Sequence, residues 1–545
     1  TLAYVHKAAD LKAGRNINIL AEDKALLNVD SFAGGGGGAA GVSGVVAVAV
    51  LLNQTRAYVE DALNVEGGAK LFAGETLLVE AKASENIITV VVCGAGGGAA
   101  GVAGSIAVKV LSAATQAYIG DYAQVNQTGI PSDNQTVIVR AVNQVISVGT
   151  AGTGAGGGAA GVGASLDITV IRNLTSAFIG DWAKVNARKD VEISATADKY
   201  VNTVVAAGAG GGAAGVSGAV AIIVLNDLLD SDSHSAISDA EGGEGNAGSF
   251  VDSLISQTDV TGKMGDSEHT GDTEASVAGR INELNVSSHL NETSADSLKN
   301  TQAFIGSGAE VNAGRDLIVK AKDKSVVIVA SGAGSGGGAA GVDGVASIVL
   351  VRDAAEAYIG IGAVTNAKVN TTVEANTSDN VFTTGITGSG AGAAAVNGVL
   401  ELNVVRSNTL AYIADGAKVN QNAAYQTANQ SVYVLANSDT YIVAVGGSGG
   451  GAAAAGVGGV ANIGVFTKNT KAFIGKDALV NAQKNIVVSA ESTQKLVGVA
   501  ISIFGAGAVA ASGDVGTFTF ANNTEAYIDK NAVVYSLGNV KVSAA

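Results

Sequence analysis

One block of glycine and small apolar residues returns throughout the chain, and very few folds can absorb such a block repeatedly. It reads GAGGGAAGVAGSIAVKV from Gly94 to Val110 and recurs at Gly34–Val50, Gly152–Val170, Gly208–Val224 and Gly332–Leu350. Looser copies occupy Gly388–Val404, Gly446–Val465 and Gly505–Phe520. Between blocks stands Ala-Tyr-Ile-Gly or a close variant, whose aromatic falls at Tyr4, Tyr58, Tyr118, Phe178, Phe304, Tyr358, Tyr412, Phe473 and Tyr527. Successive spacings are 54, 60, 60, 126, 54, 54, 61 and 54 residues. A fixed period of this size marks a repeat architecture, in which each unit buries its apolar face only against its neighbours.

Within a unit the phase is that of strands. Val191, Ile193 and Ala195 point one way and Glu192 and Ser194 the other; Leu317, Val319 and Ala321 alternate likewise with Ile318 and Lys320. Period-2 alternation bounded by Asn, Gly and Asp predicts short strands joined by tight turns. The expected fold is all-β, a parallel β-helix (β-solenoid) of about nine 54–61-residue repeats. At roughly 18–27 residues per coil each unit would make two or three coils. The whole would then be a rod of about 24 coils, on the order of 110 Å long at about 4.8 Å per strand. Two of the small additions fall at Gln127–Gln135 and Gln421–Gln430, one recurring site, which predicts loops on one face of the solenoid.

The interval of 126 residues holds one large insertion. The chain divides into repeats over 1–225, an acidic insertion over 226–299 expected to protrude from the rod, and repeats over 300–545. The insertion carries 15 Asp or Glu against three basic residues, most of the net charge of −16. Ser249–Ser256 and Ala275–Leu290 are its possible amphipathic helices, so a partly helical or mobile excursion is expected. Both termini fall inside repeats, since Thr1–Tyr4 belongs to the aromatic landmark and Val540–Ala544 matches Ile486–Ala490. That pattern predicts a segment of a longer chain.

The negative charge argues against nucleic acid as a partner, because phosphate recognition needs a basic surface. Cys93 is the sole cysteine and stands where other copies have Ala33 or Ala207, a buried small hydrophobe. Tyr200–Asn226 is uncharged over a length that could span a bilayer, but its centre is glycine and its flanks β-branched, which disfavours a helix. The glycine blocks lack the strand-to-helix context and the Gly-Lys-Ser or Gly-Lys-Thr of phosphate loops, so close backbone packing is their expected role.

No distinctive acidic pair of the kind a glycosidase needs stands outside the insertion. Asp121, Asp181 and Asp415 follow the aromatic landmark but are replaced elsewhere by Ser307, Ile361 or Lys476. Asn126, Asn186, Asn312, Asn366, Asn420 and Asn481 lie eight residues past the aromatic and read as turn residues that hydrogen-bond the backbone. Within the insertion, Asp227, Asp230, Asp232, Asp239, Glu241 and Glu244 are weak calcium candidates without EF-hand spacing, and no other cofactor is expected. His234, Met264, His269 and His289 are its recognition candidates.

The combination of Thr-x-Ala-Tyr-Ile-Gly, the Val-x-Val-x-Ala strand and Gly-Ala-Gly-Gly-Gly-Ala-Ala-Gly-Val resembles the leukotoxin-type filamentous adhesins. These large repetitive surface proteins of Gram-negative bacteria are related to filamentous haemagglutinin. The likeness covers nearly everything outside 226–299. It implies a β-helical fibre exported by two-partner secretion or as an autotransporter and acting at the bacterial outer surface. The expected function is thus a non-enzymatic extracellular adhesin or structural filament. It would self-associate into filaments or bind a receptor on a host or neighbouring cell. A pore-forming toxin, the one reading that involves membrane contact, and a β-helical polysaccharide-active enzyme are the alternatives.

Overall fold

The structure, a computed structural model, describes residues 1–226 and 300–545. These residues form three parallel sheets, each running the length of a solenoid. One turn of the coil contains a short strand such as Lys70–Ala73, a long outbound strand such as Thr76–Gly97, and a long return strand such as Ala100–Ile119. A two-residue bend, Gly98–Ala99 in this copy, joins the two long strands.

Register sets the number of coils. Tyr4 pairs with Tyr58, Leu77 with Val137, Leu317 with Thr371 and Thr371 with Val432, so each strand's neighbour lies one whole repeat away. A 54-residue unit therefore makes one coil, not two or three, and the strands are not short. Nine rungs at about 4.8 Å give about 40 Å along the axis, whereas a 22-residue strand at about 3.3 Å per residue spans about 70 Å. The described chain is a broad, flat slab rather than a thin rod of 24 coils.

The alternation expected from sequence is the alternation observed. Leu77, Val79 and Ala81 point inward with Val137, Val139 and Ala141, and so do Val191, Ile193 and Ala195. At one end of the cross-section all three sheets enclose a triangular core of such residues, with Ala57, Val59, Leu71, Ala73, Val125 and Ile119. Beyond it the outbound and return sheets face each other directly across a second core that includes Ile87, Leu111, Val145, Ile171, Val201 and Ile223. The sandwich then narrows to the bend, and here the glycine block lies. A Cβ on Gly101 would overlap the carbonyl oxygen of Gly156, and one on Gly157 would overlap that of Ala160. Cys93 sits near this seam, buried, in register with Ala33 and Thr153.

The small additions occupy two corners. Gln127–Gln135 and Gln421–Gln430 both separate a short strand from the outbound strand after it, as expected, and both end on a buried glutamine. Gln135 donates to the Ala73 carbonyl and Gln430 to that of Ala367, each at 2.6 Å. The six residues added between Tyr58 and Tyr118 lie instead before the short strand Lys70–Ala73, at the other corner.

Candidate functional site

The insertion leaves and re-enters the return sheet at a single rung. Leu225 pairs with Ile171 and Val351, and Thr301 with Thr175 and Ala355. Between these partners stand three residues in each flanking rung, Arg172-Asn173-Leu174 and Arg352-Asp353-Ala354. Two of the three positions are filled, by Asn226 and Asn300, so the insertion replaces one residue of the ladder. Both asparagines keep the ladder closed. The Asn226 amide donates to the Ile171 carbonyl at 2.8 Å, and the Thr175 amide donates to the Asn300 carbonyl at 2.7 Å. Asn226, turning out of the sheet with φ +51, accepts from the Asn173 amide at 2.7 Å, while the Asn300 side chain donates to the Arg352 carbonyl at 2.5 Å. Arg172 and Arg352 flank Asn226 in one outward column, with Arg406 on the next rung.

A chain in which Ser alone replaces 227–299 should therefore fold with its ladder intact. Its far-UV circular dichroism and unfolding midpoint are expected to stay close to the parent's. Loss of cooperative unfolding would show that the repeats on the two sides depend on the insertion.

Beneath this root lies a polar cluster that composition alone does not announce. Lys199 projects inward from the outbound sheet and binds Asp323 at 2.5 Å and Asp353 at 2.6 Å, all three sealed from solvent. Thr301 donates to Asp323 at 3.0 Å, Ser325 donates to Asp353, and Ser407 to Asp379. Burial and the charge of Asp353 raise Asp379 well above the usual carboxylate range. Asp323 is pushed up to about 7, by burial first and by Asp353 second. For Asp353 burial is outweighed by Lys199 and by hydrogen bonds, and its pKa falls. Lys199 is held above its ordinary value by the two carboxylates despite burial.

Similar groups continue in both directions along the axis. Asn53 bridges Asp23 at 2.9 Å and Glu85 at 2.7 Å, Asn143 donates to Glu85 and Thr115, and Asn173 donates to Asn143. Lys468, brought down to about 8 by burial, donates to the carbonyls of Ser438 and Thr493. Nearer the bend, Lys109 pairs with Asp167 at 2.9 Å. Burial lowers the lysine and raises the aspartate, each against the pull of the other. That ion pair explains a glycine outside the seam, because a Cβ on Gly149 would overlap the Lys109 ammonium and the Asp167 carboxylate. Gly149→Ala is expected to cost about 1–3 kcal/mol of stability. Lys109→Met/Asp167→Leu should remove most of that cost, which paired chemical denaturation curves would measure.

The sequence does signal these groups. Lys109 shares the inward phase of Ala107 and Leu111, and Lys199 that of Ala197 and Val201. The signal is phase, not composition. Sealed from water, the Lys199 cluster can hold protons and penalise mispairing of coils, but no substrate reaches it.

The landmark residues line the outside. All nine landmark rings form one column, stacked at centroid distances of 4.6–5.2 Å. Asp121, Asp181 and Asp415 each accept an amide from the next coil, those of Asp181, Ser307 and Lys476, at 2.6–2.8 Å. The landmark glycine of that next coil, Gly180, Gly306 or Gly475, leaves the space the carboxylate needs.

Asn126 and Asn420 are buried turn residues at φ +56 and +58 that accept the amides of Ala73 and Ala367. Asn312 and Asn366 instead donate to the asparagine one coil before, Asn186 and Asn312, and Asn481 donates to Gln421. Trp182 and Tyr122 hold left-handed corners at φ +59 and +58, a conformation that Gly308, Gly362 and Gly416 adopt without strain.

The calcium candidates Asp227, Asp230, Asp232, Asp239, Glu241 and Glu244 lie outside the described residues, as do His234, Met264, His269 and His289. Among the described residues no group of His, Cys, Asp and Glu is placed to hold a metal. No described helix is long and apolar enough to cross a membrane, and Tyr200–Leu225 lies in the outbound and return strands of one coil. No protein family, curated protein or solved structure matches this chain.

Proposed function

We propose that this chain is the stalk of a non-enzymatic extracellular fibre, a bacterial surface adhesin or structural filament, in which the coils supply a rigid scaffold and residues 226–299 supply recognition. The observation that carries the reading is the root of the insertion. A 73-residue acidic excursion, residues 227–299, replaces one position of an otherwise continuous in-register ladder, so the coils on either side keep their register around it. The partner is a receptor on a host or neighbouring cell, or a second fibre. The motif resemblance adds the expected setting, the outer surface of a Gram-negative bacterium.

The test compares the parent with the Ser-bridged chain lacking 227–299, both immobilised on beads and presented to epithelial and bacterial cells. The parent should retain cells and the bridged chain should not. Equal retention by both would move recognition to the coils, and retention by neither would remove the adhesin reading. Electron micrographs of the native material separate the two fibre forms. Isolated stalks on cells support the adhesin, and long uniform filaments support the structural polymer.

A further inference from the structure

In-register parallel stacking places like side chains one strand spacing apart, and for tyrosine that spacing has chemical consequences. Tyr4, Tyr58 and Tyr118 stack on three successive rungs at centroid distances of 5.2 and 4.9 Å, with ring planes within 8° and 12° of parallel. Tyr358 and Tyr412 form a second pair at 4.9 Å and 4°. Phe178 and Phe304 separate the two groups, and Phe473 divides the second from Tyr527. Tyr4 is exposed and Tyr58 and Tyr118 are half-buried, so the first group borders water along its ring edges.

Composition removes most competitors for an oxidant. The chain has 12 tyrosines but one cysteine, one methionine and one tryptophan, and Cys93 is buried. Thiols and thioethers, which ordinarily take up oxidising equivalents first, are nearly absent.

We propose that the stacked tyrosines are an oxidative cross-linking site, at which a peroxidase using hydrogen peroxide joins successive coils through dityrosine. Each of two neighbouring phenols loses one electron and one proton. The two phenoxyl radicals form a carbon–carbon bond between ring carbons ortho to oxygen, and each ring then loses its ortho C–H proton to the phenolic oxygen as it regains aromaticity. Peroxide takes up the two electrons and two protons and leaves as two waters. The covalent bond runs along the axis, where backbone hydrogen bonds otherwise hold coil to coil. Neither the adhesin nor the filament reading is needed for this chemistry.

The experiment treats the whole chain at low concentration with a haem peroxidase and limiting peroxide, then maps products by proteolysis and mass spectrometry. The expected products are intramolecular peptides lighter by two hydrogens that link Tyr58 to Tyr4 or Tyr118, and Tyr358 to Tyr412, together with dityrosine fluorescence. Phenylalanine already stacks in this column at Phe178, so Tyr58→Phe/Tyr412→Phe should fold normally, and circular dichroism checks that it does. This variant should lose at least nine-tenths of the intramolecular dityrosine. Equal cross-linking in the variant would overturn the proposal. So would links formed mainly between molecules or at Tyr200 and Tyr535, or oxidation confined to the exposed Trp182.

Discussion

Gly101→Ala is expected to cost more than an ordinary core overpacking, for which about 1–3 kcal/mol is typical, while Gly156→Ala leaves stability unchanged or raises it by about 0.5–1 kcal/mol. Both glycines lie in strands of the same seam, and their phases differ. The Gly101 Cβ would enter the space between the two sheets and overlap the Gly156 carbonyl oxygen, so a backbone must move. The Gly156 Cβ would point outward with nothing within 4 Å, and its backbone requires no positive φ. Alanine there only reduces the freedom of the unfolded chain.

The seam also widens along the axis, which makes the effect graded. At Gly341 the nearest atom to an added Cβ is 3.2 Å away and at Gly456 it is 3.4 Å away, and on the rung between them nature has already placed Ala395. Gly341→Ala should therefore cost markedly less than Gly101→Ala. Thermal unfolding of the three variants would decide the matter. Equal losses at Gly101 and Gly156 would mean that the block is conserved in form for a surface reason and not for inter-sheet packing.

The seam and the strand phase were legible because both follow from side-chain size and period. A block of glycine, alanine and valine between alternating segments admits little besides closely apposed strands, and Val191, Ile193 and Ala195 face inward as their alternation requires. The length of the strands was not legible. Inside Thr76–Gly97 the inward positions include Glu85 and Thr89, and the strand ends in glycine. Polar residues and glycine in sequence look like turns, so one 22-residue strand reads as two or three short ones, and the coils are overcounted. What hides the long strand is the axial polar cluster, whose members find their partners across the core, on the facing strand of their own coil or on neighbouring coils. Lys199 meets Asp353 154 residues away, and no local window contains both. The same distance leaves the paired charges of the repeats without a local motif, whereas the charge of the insertion is dense enough to register in a short window.

Lys199→Met is the second large effect, expected at about 3–5 kcal/mol near neutral pH, because it strips the cation from two buried carboxylates while leaving them buried. Its pH dependence distinguishes an electrostatic loss from a packing loss. In the parent, Asp323 is raised from 3.8 to about 7 and Glu401 from 4.5 to about 8, in both cases chiefly by burial. A carboxyl with a raised folded pKa binds its proton more tightly when folded. The stability it contributes is complete below its unfolded pKa and is lost as pH climbs through the folded value. The parent should accordingly be most resistant to denaturant near pH 4 and weaken steadily toward pH 8, unlike a protein dominated by surface ion pairs. Without Lys199, Asp353 loses the attraction that now keeps its pKa low, and it too becomes a group that folds best protonated. The deficit of Lys199→Met should thus be small near pH 4 and full at pH 7–8. Lys199→Met/Asp323→Asn/Asp353→Asn, which removes the charges together, should recover much of it. Urea midpoints measured across that range test the assignment directly, since a deficit independent of pH would assign Lys199 a packing role and take the ion triad out of the account of how the coils keep register.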